Sequence, residues 1–114
     1  MAKYERRFKG NFDEVLKLCK DTIEKKSLTA SLEDQSYFEN EKFKASVSIF
    51  ERFSYRGSNR VSLSITLIES DEELFISAIT SGGSQDVFSK VNAFGEVSFL
   101  ETLIPAVEEY IKKY

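Results

Sequence analysis

From Ser27 to about Ser81 the apolar residues recur at every second position, and the residue types shift towards Ser, Thr, Val, Ile and Phe. A period of two is that of a pleated strand, whose successive side chains point to opposite faces, so half of this chain is committed to sheet. Turn residues divide the stretch into four strands. The first runs from about Leu28 to Phe38, with Leu28, Ala30, Leu32 and Phe38 on one side, and ends at the polar turn Glu39 to Lys42. In the second, Phe43, Ala45, Val47, Ile49 and Phe53 alternate with Lys44, Ser46, Ser48, Phe50 and Arg52 up to the reversal Gly57-Ser58-Asn59. In the third, Val61, Leu63, Ile65 and Leu67 alternate with Ser62, Ser64 and Thr66; the acidic turn Glu69 to Glu73 then leads to Leu74, Ile76 and Ala78. Connections this short predict an antiparallel meander.

The flanks have other periods. Residues 3 to 9 alternate, which predicts a half-buried first strand, although Arg6 falls on its apolar side. Gly10 ends it, and Asn11 with Glu14 three residues later resembles a capping box. A helix follows with Phe12, Val15, Leu16, Cys19 and Ile23 on one stripe, which places the Cys19 thiol in the core as inert packing. After Ser81-Gly82-Gly83-Ser84 comes an unassigned segment, Gln85 to Phe94, with a short strand suggested at Val87 to Val91. A second helical stripe then joins Val97, Leu100, Ile104, Val107, Ile111 and Tyr114. Pro105 lies inside it and predicts a kink or a break near Leu100 to Leu103.

The order strand, helix, four antiparallel strands, helix defines an α+β domain spanning 1–114. One sheet with one apolar face and two apolar helices satisfy one another when both helices pack on the same face of a single curved antiparallel sheet. The 114 residues suffice for one core without staples. With no His, the commonest general base and zinc ligand are missing, and no metal or cofactor is expected. The lone Cys19 suits a reducing, cytoplasmic setting. No apolar run approaches the roughly 20 residues of a membrane span. A net charge of −3, from 16 basic and 19 acidic residues, argues against nucleic acid as a partner.

The element order resembles the helix-grip arrangement of the TATA-binding-protein-like and pollen-allergen-like folds, in which a curved antiparallel sheet wraps a long C-terminal helix. That resemblance implies a space between sheet and helix for a small apolar or amphipathic ligand. The stretch GGSQ at Gly82 to Gln85, with Lys90 and FGE at Phe94 to Glu96, resembles a small bacterial family known only as a domain of unknown function. It implies no activity and no catalytic residue.

Two features offer themselves for binding. Ser81, Gly82, Gly83 and Ser84 free the backbone to aim amides at an anion, with Lys90 adding charge, while the same glycines also suit a plain strand-to-loop turn. The outward positions of the meander, Ser46, Ser48, Ser62, Ser64, Thr66 and Ser77, are small and neutral, with Phe50 and Phe75 among them. A solvated face ordinarily carries Lys and Glu, so this one suits either cross-strand hydroxyl pairs or a second copy's sheet. Arg52, Arg56 and Arg60 form a basic spot around Gly57, and Glu33, Tyr37 and Lys90 would reopen an enzymatic reading only if a pocket joined them. The expectation is a non-enzymatic module for a small apolar ligand or a protein partner, or else a homodimer through the hydroxyl-rich face.

Overall fold

The structure is a computed structural model that describes residues 1–53, 60–82 and 89–114, with side chains from 95 onward in the last segment. Among the described residues the order is β1 (Ala2–Phe8), α1 (Phe12–Lys26), β2 (Ser31–Glu39), β3 (Phe43–Phe53), β4 (Arg60–Ser70), β5 (Glu73–Gly82) and α2 (Ser89–Lys113). The strands form one open antiparallel sheet, β1-β5-β4-β3-β2. β2 to β5 are the expected meander. β1 lies beside the last strand, so α1 carries the chain from one edge of the sheet to the other.

α1 starts where the sequence caps it: Asn11 Oδ1 accepts the Glu14 amide at 2.9 Å, and Asp13 and Glu14 favour the positive end of the helix. Its stripe Phe12, Val15, Cys19 and Ile23 is buried, and burial pushes the Cys19 thiol up to about 12, which keeps it protonated. α2 begins at Ser89, so the strand suggested at Val87 to Val91 is replaced from Ser89 onward by helix, and residues 83–88 lie outside the described ones. The predicted break at Pro105 does not occur: α2 runs through it to Lys113. Pro105 is exposed, as is Glu101, whose carbonyl loses its helical donor there, so the loss falls on the solvent side of α2 where water can replace the donor. The buried stripe of α2 is Phe99, Leu100, Leu103 and Val107, whereas Val97, expected on it, is 42% exposed.

Both helices cover the same side of the sheet. Leu63, Ile65 and Leu67 of β4 and Leu74, Ile76 and Ala78 of β5 face them at 0–2% exposure. Each leucine and isoleucine among them contributes roughly 1.5–3 kcal/mol by leaving water. Gly10, between β1 and α1, sits under Tyr110: an added Cβ would lie 2.8 Å from Tyr110 Cε1. The Tyr110 hydroxyl accepts the Asn11 amide at 2.9 Å and donates to Glu14 at 3.0 Å, which ties the end of α2 to the start of α1.

One strand has the opposite phase to the one its hydropathy suggests, and a second changes phase part-way along. In β3, Ser46, Ser48 and Phe50 face the helices at 2%, 3% and 1% exposure, so they are not on the open side. Register forces this, because they stand opposite Leu67, Ile65 and Leu63, and β4 must put those leucines and isoleucine into the core. Ala45, Val47, Ile49 and Phe53 are thereby turned to the uncovered side. In β2 the pairing shifts between Leu32 and Asp34, leaving Glu33 as an extra residue. The shift turns Phe38 away from the face that Leu32 occupies. Leu28 precedes the strand and is 95% exposed.

Candidate functional site

The side of the sheet away from the helices reads as three cross-strand rows. The first is Lys3, Ile79, Ser64, Ile49 and Asp34; the second Glu5, Ser77, Thr66, Val47 and Ser36; the third Arg7, Phe75, Ile68, Ala45 and Phe38. The three central strands contribute an uncharged block of six apolar side chains and three hydroxyls. Charge is confined to the rims. No described helix lies over the block, and Ile79, Val47 and Phe38 remain 37%, 38% and 55% exposed.

Local bonds hold the rims. Ser77 donates to Glu5 at 2.9 Å, Arg7 pairs with Glu73 at 2.8 Å, and Lys3 lies 3.9 Å from Glu5. At one end of β3 and β4, Arg60 meets Glu51 at 3.1 Å and Glu33 at 3.4 Å, with its guanidinium 5.1 Å from the Phe53 ring centroid. Of the residues the sequence places on this surface, Ser62, Ser64, Thr66, Phe75 and Ser77 are there; Ser46, Ser48 and Phe50 are replaced by Ala45, Val47 and Ile49. The register across β4, unlike the hydropathy of β3 alone, identifies the replacements.

The glycine segment does not form a cradle in its described part. Ser81 and Gly82 belong to β5, the Ser81 hydroxyl lies 2.9 Å from that of Ser62, and a Cβ on Gly82 would lie 3.2 Å from the Val61 Cα. Gly82 therefore serves close strand packing. Gly83, Ser84 and the Lys90 side chain lie outside the described residues, as does Arg56. The other two arginines of the basic spot part company. Arg52 turns to the helix side, donates to the Gly95 carbonyl at 3.1 Å and stacks 4.5 Å from the Phe99 ring, and burial lowers its pKa. Glu33 and Tyr37 do not converge either: Glu33 meets Arg60, while the Tyr37 hydroxyl donates to Glu39 at 2.8 Å and is pushed up to about 12 by that carboxylate.

One feature was invisible in the sequence. A cleft of about 370 Å3 is lined by Lys9, Gly10, Lys42, Glu69, Asp71, Glu72 and Tyr114, at the β4–β5 turn. Asp71 and Glu72 both take positive φ, 52° and 65°, as a two-residue hairpin of this twist requires. The cleft is polar and open, and it lies at the end of the sheet. At the described positions between sheet and helix, Phe99, Leu103 and Val107 are 0% exposed. No group of three potential metal ligands occurs among the described residues, and no described helix is long and apolar enough to cross a membrane.

These features define an α+β protein with one helix-covered sheet face and one face left bare by the described residues. Over residues 1–111 the sequence matches a family of unknown function, DUF6054, and the chain belongs to that family. No curated protein and no solved structure matches it significantly.

Proposed function

We propose that this chain is a single non-enzymatic interaction module whose bare sheet face is its binding surface. The uncharged central block carries the reading. Six apolar side chains on one contiguous face stay in contact with water, at a cost that covering them would relieve. Five strands about 4.8 Å apart and about ten residues long offer on the order of 800 Å2, which is about what each partner contributes to a standard-size interface. The β1-β5-β4-β3-β2 order followed by a long helix supports a reduced helix-grip topology. The single buried thiol supports a reducing, cytoplasmic setting.

Native mass spectrometry of the wild type and of Ser64→Arg tests the reading. Ser64 is central in the first row, so a guanidinium there should expel any occupant while circular dichroism stays unchanged. The expected result is added mass on the wild type, a second chain or a small apolar molecule, that is lost from the variant. A wild type with no added mass, or a variant that retains it, removes the proposal.

A further inference from the structure

We infer that the occupant of the bare face is a second copy of this chain, stacked sheet on sheet about a twofold axis parallel to β4; this rests on the face being the binding surface. β4 is the middle strand of the sheet, so such an axis sets β4 over its own copy, β5 over the partner's β3, and β1 over the partner's β2. Each row then lies over the same row of the partner in reverse order.

The consequences can be read from the register. In the first row Lys3 of one copy stands over Asp34 of the other, and Ile79 over Ile49. In the third row Arg7 stands over Phe38, Phe75 over Ala45, and Ile68 over Ile68. In the second, Thr66 meets Thr66, where two hydroxyls can bond to each other. The arrangement is isologous, so each rim contact occurs twice. Cation meets carboxylate at one corner and cation meets ring face at the next, while hydroxyl and aliphatic groups fill the centre. Lys3, 60% exposed and 3.9 Å from Glu5, and Arg7, 73% exposed and paired with Glu73 at the rim, are long enough to span the roughly 10 Å between stacked sheets once they exchange those partners.

The edge of β2 gives a contrasting result. Its residues Glu33, Asp34 and Glu39 include no compensating Lys or Arg on the strand, and the register shift at Glu33 interrupts its free edge. Pairing two β2 edges would line up carboxylates along one seam, which disfavours that edge-to-edge route.

Sedimentation equilibrium on the wild type, Lys3→Glu, Asp34→Lys, their equimolar mixture, Ser64→Arg and a Lys20→Glu control on the exposed side of α1 tests the arrangement. Each reversal sets like charges together at two corners and should weaken the dimer by about tenfold or more. The mixture should recover to roughly wild-type affinity: at one corner the introduced carboxylate faces the introduced ammonium, and at the other the native Asp34 faces the native Lys3. Lys20→Glu should change nothing. A monomeric wild type overturns the second-copy inference, and a different mass in the native spectrum then leaves the module standing. A dimer unaffected by Ser64→Arg overturns the face itself. Single reversals without effect, or a mixture that fails to recover, overturn this axis.

Discussion

Ser46 and Ser48 occupy neighbouring positions on the covered side of β3 with different fortunes. Ser48 Oγ accepts the Gln35 side-chain amide at 2.8 Å, whereas the buried Ser46 Oγ has no partner among the described residues. An unsatisfied buried hydroxyl costs about 1–3 kcal/mol in desolvation. Ser46→Ala should therefore raise the urea midpoint, by the equivalent of about 1 kcal/mol, with the slope unchanged. A fall typical of a lost hydrogen bond would show that the hydroxyl is satisfied. Both serines look like surface residues in the sequence, because a hydroxyl reads as outward wherever its neighbours are Val and Ile. The residues that settle the matter are Leu67 and Ile65, which lie across the ladder. Cys19 and Asn11 were legible because a thiol on a helical stripe and a cap three residues before Glu14 depend only on near neighbours.

Contacts between elements explain the sequence's apparent errors. Arg6 interrupts the apolar side of β1 because its partner is on α2: Arg6 Nη1 lies 2.6 Å from both Glu108 oxygens, and Tyr4 donates to the same carboxylate. Arg6, which looked misplaced in the sequence, and Glu108 thus join the first strand to the last helix, about a hundred positions apart in the chain. The Tyr4 hydroxyl, followed by the Arg6 guanidinium, outweighs partial burial and holds the Glu108 carboxyl below its usual range. A depressed folded-state pKa contributes stability that is fully present above the unfolded value, near 4.5, and is lost as pH falls through the folded value. Glu108→Gln should thus destabilise at pH 7 and converge on the wild type in acid. Arg6 and Glu108 are 40% and 35% exposed, so solvent screening limits the difference to about 0.5–1 kcal/mol. Denaturant midpoints at pH 7 and pH 3 check this, and a gap that stays constant with pH contradicts it. The element order, α1 with its cap and the existence of α2 could be read from period, but not the start of α2 at Ser89. The phases of β2 and β3 could not, because an extra residue at Glu33 and pairing with β4 are tertiary facts. The path through Pro105 was hidden for the same reason: only the fold shows that Pro105 and Glu101, whose carbonyl it leaves without a donor, lie on the exposed side of α2.

At the scale of the whole molecule the sheet is asymmetric. One side is closed by α1 and α2 over leucines and isoleucines at nearly zero exposure, while the other carries Ala45, Val47, Ile49, Ile68, Phe75 and Ile79 with no described helix above them. A domain with one such face gains stability whenever the face is covered, so folding and association are linked. For a dimer through this surface, unfolding must also separate the copies, and Tm must rise with protein concentration. Raising the concentration from near the dissociation constant to a hundredfold above it adds about 2.3 kcal/mol, which is on the order of 10 °C for a domain of this size. Calorimetric scans across that range should show the rise in the wild type and a flat Tm in Ser64→Arg. Well below the dissociation constant the two curves should meet, since position 64 then faces water in either protein. Equal slopes in the two proteins would mean that concentration acts somewhere other than the bare face. A flat wild type would mean that this face meets no second copy, and its apolar rows would then have to be covered by a different molecule.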